Sequence, residues 1–114
     1  MASTTYDFPE HIKGDTFLEQ EFIYKRNGVP IDLTGWSIRM MLKLNKKDTT
    51  NVLLLSTGSG LTIKDAVNGV LAIDKQIIDI EAHRYVYDVE LTDTNNDVFT
   101  YQGGIFPIIQ DVTS

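Results

Sequence analysis

Two histidines and sixteen acidic side chains are the first acid–base candidates in this 114-residue chain, and the absence of cysteine rules out thiol catalysis. His11 and His83 lie far apart in the sequence, and neither has a carboxylate or a second imidazole at metal-ligand or general-base spacing. The segment Asp93-Thr94-Asn95-Asn96-Asp97 has the alternating oxygen donors of a calcium loop. It fails where such a loop is diagnostic, because Val98 stands in place of the turn glycine and Gly104 in place of the bidentate glutamate. Gly58-Ser59-Gly60 is too short for a phosphate cradle and has neither a later glycine nor a Gly-Lys-Ser/Thr. Glu19 and Glu21 share one strand face, whereas acid/base work brings two carboxylates together across a cleft. Trp36 opens a strongly alternating run and reads as a cap on the core. The residues therefore predict no catalytic group, no metal site, no cofactor and no enzyme.

The bulk properties narrow the partners. Ten basic against sixteen acidic side chains give a net charge of -6, which disfavours a nucleic-acid partner and an anionic membrane surface. The absence of cysteine removes disulfides and thiolate sites, so burial must stabilise the fold. No apolar run approaches the length of a spanning helix, and Met1–Glu10 lacks the basic start and apolar stretch of a leader, so neither export by such a signal nor membrane insertion is expected.

Strand-period patterning dominates the chain. From Trp36 to Leu44, the residues Trp36, Ile38, Met40, Leu42 and Leu44 alternate with Ser37, Arg39, Met41 and Lys43, which gives one dry face at period two. Arg84 to Thr92 repeats this, with Tyr85, Tyr87, Val89 and Leu91 on one side. Thr16 to Tyr24 reads as one strand with Thr16, Leu18, Gln20, Phe22 and Tyr24 on a common pleat. Shorter strands are expected at Val52 to Thr57, Leu61 to Ile63 and Val70 to Asp74, and a long one at Val98 to Ile109. In that last strand Gly103-Gly104 suggests a bulge and Pro107 an edge or irregular position. Lys75 to His83 fits neither period and is read as a helical turn or a crossover.

Seven or so short strands with Asn-Gly, Asn-Asn and Asp-rich turns predict an all-β domain, an antiparallel immunoglobulin-like β-sandwich spanning 14–114, with a small barrel as the second choice. Residues 1–13 show no sustained period and are read as a loosely attached N-terminal arm. Tyr85-Val86-Tyr87 near the start of a late strand suggests a tyrosine corner, in which a phenol bonds to upstream backbone.

Three stretches in this order, Gly14-Asp15-Thr16-Phe17, then Asn27-Gly28-Val29-Pro30-Ile31-Asp32-Leu33-Thr34-Gly35-Trp36, then Arg84-Tyr85-Val86-Tyr87-Asp88-Val89-Glu90-Leu91, carry a resemblance. With the closing Gly103-Gly104-Ile105-Phe106 and Asp111-Val112-Thr113, the pattern resembles the small immunoglobulin-like proteins of tailed bacteriophages. It is similar to the N-terminal domain of phage baseplate upper proteins and covers Gly14 to Thr113. The resemblance implies a virion structural protein, made in the cytoplasm of the host bacterium, that docks on other phage structural proteins of the tail, baseplate or head-tail region and forms a homo-oligomer. Unlike baseplate upper proteins the sequence closes at Ser114 without a helical stalk, which leaves capsid decoration and fibre anchoring open as well.

An edge strand is a pairing template, so the arm and the Val98 to Ile109 strand are the expected assembly contacts: Tyr6, Phe8, Val98, Tyr101, Phe106 and Ile108. The competing expectation is a carbohydrate-binding module contacting host surface glycans, with Tyr6, Tyr24 and Tyr101 as exposed stacking rings.

Overall fold

A computed structural model of the chain describes residues 4–110, so Asp111-Val112-Thr113 lies outside the described residues. Strands and turns make up these residues, with no helix among them. The strands are β1 (Thr4–Thr5), β2 (His11–Ile12), β3 (Thr16–Phe17), β4 (Gln20–Ile23), β5 (Lys25–Arg26), β6 (Val29–Pro30) and β7 (Ser37–Lys43). They continue as β8 (Leu53–Thr57), β9 (Gly60–Asp65), β10 (Val70–Ile73), β11 (Gln76–Ile77), β12 (His83–Thr92) and β13 (Val98–Ile109). One main sheet runs β4-β10-β9-β8-β7-β12-β13, with β1 and β2 both laid along the outer edge of β13; β3 pairs with β11 and β5 with β6.

The chain is all-β, as the alternating runs require, but the sheet is mixed rather than antiparallel. β1 and β2 run parallel to β13, and β8 runs parallel to β9 over two residue pairs only. That last pairing is a corner. Gly58 and Gly60 hold φ of +86° and +99°, which side-chain-bearing residues rarely adopt, and the chain makes a tight loop there and continues in the same direction as the sheet rolls into a half-barrel. Ile38, Met40 and Leu42 of β7 and Tyr85, Tyr87, Val89 and Leu91 of β12 line its interior, where the period-two pattern places them, against Leu61, Leu71 and Ile73 from the other half.

Three local expectations shift, and one left open is decided. Leu44 falls beyond the end of β7 and is exposed, and Met41, on the opposite pleat, is buried. The strand expected over Thr16 to Tyr24 breaks at Leu18-Glu19, because β3 pairs with β11 and β4 with β10; the break resets the phase, so Phe17 and Tyr24 both point inward while Leu18 is exposed. Of the helical turn and the crossover expected over Lys75 to His83, the structure has the crossover, which opens with β11 and buries Ile78. The bulge of β13 lies not at the glycine pair but at Tyr101: Val89 pairs with Gln102 and Glu90 with Thr100, which leaves Tyr101 as the extra residue.

The glycine pair serves the N-terminal segment instead. Residues 4–13 are not loosely attached but form a strap on β13. The N–H groups of Tyr6, Phe8 and Lys13 donate to the carbonyls of Gly103, Ile105 and Ile109 at 3.0, 2.9 and 2.8 Å. Pro107 shares the parity of these carbonyls, so its missing N–H faces the strap between the stretches paired with β1 and β2, where it removes no bond to β12. A Cβ on Gly104 would lie 2.2 Å from the Tyr6 carbonyl oxygen and 2.8 Å from a carboxylate oxygen of Asp7, and its φ of +156° adds strain. Gly104→Ala is expected to destabilise the fold by at least about 2 kcal/mol through overpacking and strain. Gly28→Ala, with nothing within 4 Å of the added Cβ, should cost only about 1 kcal/mol, both read by urea unfolding.

Candidate functional site

Of the six residues expected to make assembly contacts, the structure brings four together in the interior. Phe8, Tyr101, Phe106 and Ile108 are buried, Tyr6 is half-buried, and Val98 is exposed. Phe8 plugs an aromatic cluster, with ring centroids 4.5 Å from Phe106, 5.0 Å from Tyr87 and 4.9 Å from Tyr6. A buried polar relay holds the strap over it: the Gln102 amide donates to the Tyr87 hydroxyl at 3.0 Å, and that hydroxyl donates to the Tyr6 carbonyl. Asp7 adds a carboxylate that accepts from the Ile105 N–H at 3.0 Å. Burial pushes the Tyr87 phenol up to about 12, while the Gln102 bond pulls it the other way.

The tyrosines considered for glycan stacking offer no open face as a set. Tyr24 and Tyr101 are buried and stacked on each other at 4.3 Å, and the Tyr101 hydroxyl accepts from the Lys25 N–H at 2.7 Å and donates to the Lys25 carbonyl at 2.9 Å. The polar groups weighed for chemistry are engaged with backbone. His11 Nε2 lies 3.0 Å from the Asp15 carbonyl and His83 Nε2 3.4 Å from that of Leu44. One oxygen of Asp93 accepts from the N–H groups of Asn95 and Asp97 at 2.8 and 3.0 Å, closing the loop that resembled a calcium site. Among the described residues no three His, Asp or Glu side chains are grouped so as to hold a metal ion. The expected tyrosine-corner bond is present, with the Tyr85 hydroxyl donating to the Glu81 carbonyl at 2.5 Å.

What the surface does present is an apolar loop end. The hairpin β5–β6, the segment Ile31 to Trp36 and the turn at Asp65 to Gly69 are tied together there by Leu33 N–H to the Ala66 carbonyl at 2.8 Å and Tyr24 N–H to the Gly69 carbonyl at 2.8 Å. Leu33 is the buried anchor of this end. Asp32 accepts from the Thr34 hydroxyl and N–H at 2.6 and 3.0 Å, bonds that hold its carboxyl below the usual range and fix the turn before Gly35. Val29 is 64% exposed and Val67 65%, and the Arg26 guanidinium stands 5.8 Å above the ring of Phe99, beside Val98. A shallow depression of about 270 Å³ lies between Arg26, Val29, Pro30, Ile31, Asp32 and Trp36. Val29 and Val67 were not singled out by the sequence pattern because they sit in turn-rich stretches without a period. Their apolar type next to Asn-Gly and Asn68-Gly69 is the signal that could have marked them.

Compared with protein-family models and with curated proteins, the chain matches none.

The strap relay carries a pH signature. A phenol ionises near 10 when unfolded and near 12 at Tyr87, so its contribution is fully present below pH 10 and is lost as the pH rises toward 12. Tyr87→Phe is expected to reduce, without removing, the fall in urea midpoint between those pH values, because burial raises the Tyr24 and Tyr85 phenols as well. At neutral pH it should cost about 1–3 kcal/mol, because Gln102 and the Tyr6 carbonyl lose their partner.

Proposed function

We propose that the protein is a non-enzymatic structural component of a tailed-phage particle that works by docking on neighbouring virion proteins. The observation that carries this reading is the loop end. The most telling stretch of the resemblance, Asp32-Leu33-Thr34-Gly35, is there a rigid turn anchored by buried Leu33, and exposed apolar side chains at Val29 and Val67 surround it. Large aliphatic groups held on a fixed turn expend little ordering entropy on contact, which suits a permanent assembly interface. Val98, among the contacts the sequence suggested, is exposed but follows the opposite pleat of β13 from Phe99, so it stands apart from this end.

An immunoglobulin-like sandwich is the finer fold reading, supported by the Tyr85 corner bond and by one core shared by the strands of both halves of the rolled sheet. Tail, baseplate or head-tail junction are the places in the particle this reading favours, after synthesis in the host bacterial cytoplasm.

The test is incorporation into particles. Val29→Asp combined with Val67→Asp changes two exposed positions, so folding stability should move by only about 1 kcal/mol in total. The amount of protein in purified particles, measured by quantitative mass spectrometry, is expected to drop at least about tenfold, since a charge buried in an apolar contact costs more than 1.4 kcal/mol. Unchanged incorporation of the folded variant would remove the loop end from the assembly surface.

A further inference from the structure

The sheet has two ends, and only one is covered. The strap occupies the outer edge of β13, whereas β4 pairs with β10 alone among the described residues. The direction of the β4 hydrogen bonds follows from one contact. Tyr24 N–H donates to the Gly69 carbonyl at 2.8 Å, and the register pairs Phe22 with Leu71 and Gln20 with Ile73, so the even-numbered residues bond toward β10. Glu21 and Ile23 therefore turn their N–H and C=O groups to the open side. The next odd position, Lys25, has both backbone groups taken by the Tyr101 hydroxyl, which limits the open ladder to Glu21 and Ile23.

We infer that this edge pairs with the same edge of a second copy, in an antiparallel two-fold contact centred on Phe22. The order of charges in the strand selects that occupant. Glu19, Glu21, Ile23 and Lys25 are all exposed on one face, acidic at the start and basic at the end. A two-fold axis at Phe22 sets Glu21 opposite the second copy's Ile23, which forms four main-chain hydrogen bonds between the two strands. The same axis brings Glu19 to the second copy's Lys25 at both ends. It also sets the two Ile23 side chains, each 58% exposed, diagonally next to each other on one face. No like charges stand directly opposite; the two Glu21 carboxylates take the other diagonal of that face, exposed to solvent, each with the second copy's Lys25 on its far side. In the single chain Glu19 rests on Lys64 at 3.2 Å, an exposed and weak contact that leaves it free to turn to Lys25. This contact is independent of the phage reading and lies on a different surface from the Val29 and Val67 end.

Sedimentation equilibrium of the full chain across a range of concentrations tests the inference. A mass corresponding to two chains is expected. Ile23→Pro removes a donor that faces away from β10 and should shift the population to single chains while circular dichroism stays that of the parent. Lys25→Glu, which sets Glu against Glu19, is expected to weaken the dimer at least about tenfold, and Glu19→Lys with Lys25→Glu should restore it. A single-chain mass at all concentrations would overturn the inference, as would a dimer indifferent to both single substitutions. Loss of particle incorporation in the loop-end variant with the dimer intact would leave this contact standing.

Discussion

The seating of the N-terminal strap on β13 is the contact on which the rest of this fold depends. β13 is the longest strand, and one of its edges is fully used by β12. Along Gln102 to Ile109 its other edge would leave the backbone groups of every second residue unpaired, Gly103, Ile105 and Ile109 among them. The strap satisfies that edge and also delivers Phe8 into the core, so one segment does the work of an edge guard and of a core residue. Both depend on backbone approaching backbone at Gly104, where a methyl group would meet the Tyr6 carbonyl at 2.2 Å. Parallel pairing is the geometric consequence, because a segment that enters at one end of β13 and leaves toward β3 has to travel in the same direction as β13.

Where the ladder stops, tyrosine hydroxyls take over. A rolled sheet that does not close leaves backbone groups at the seam. The Tyr101 phenol satisfies both backbone groups of Lys25, the Tyr6 phenol accepts from the Gln20 side-chain amide at 3.1 Å, and the Tyr87 phenol donates to the Tyr6 carbonyl of the strap. The Tyr101 ring buries a large apolar body in the core and carries its one polar atom to the place where a strand is missing. Tyr101 can reach Lys25 because it is the extra residue of the bulge; the bulge turns it and Gln102 inward together, one to the seam and the other to Tyr87. A regular strand would have put one of the two outside.

The legible part of the fold was the part governed by period. Ile38, Met40 and Leu42, and Tyr85, Tyr87, Val89 and Leu91, stand inside because alternation along a half-buried strand leaves no other arrangement. Illegible were the places where two segments far apart in sequence meet. Gly103-Gly104 looked like a bulge, since a glycine pair in a strand signals either a bend or a close approach, and only the position of Tyr6 decides between them. The buried candidates Phe8, Tyr101, Phe106 and Ile108 were chosen as surface contacts because β13 was expected to lie at an open edge. The chain's own strap occupies that edge. For Leu18 and Tyr24 the error lay in counting through a break, as one change of partner between β3 and β4 inverts every later side chain.

The two sheet edges are treated differently, and chain order accounts for the difference. β13 lies at the end of the described chain and can be covered only by a segment that is itself free to move alongside it, which the N-terminus supplies. β4 follows the strap by a few residues and is held by β10, so the strap cannot also reach it as a strand; its Tyr6 and Phe8 side chains do, with rings 5.3 and 6.0 Å from that of Phe22. The exposed odd-numbered face of β4 carries Glu19, Glu21 and Lys25, the kind of charges that keep an edge from indiscriminate pairing. Charges that repel most strands also select the few whose own order complements them. An edge bearing acid at one end and base at the other meets its complement in an antiparallel copy of itself, and the single-chain fold has already spent its one covering segment elsewhere.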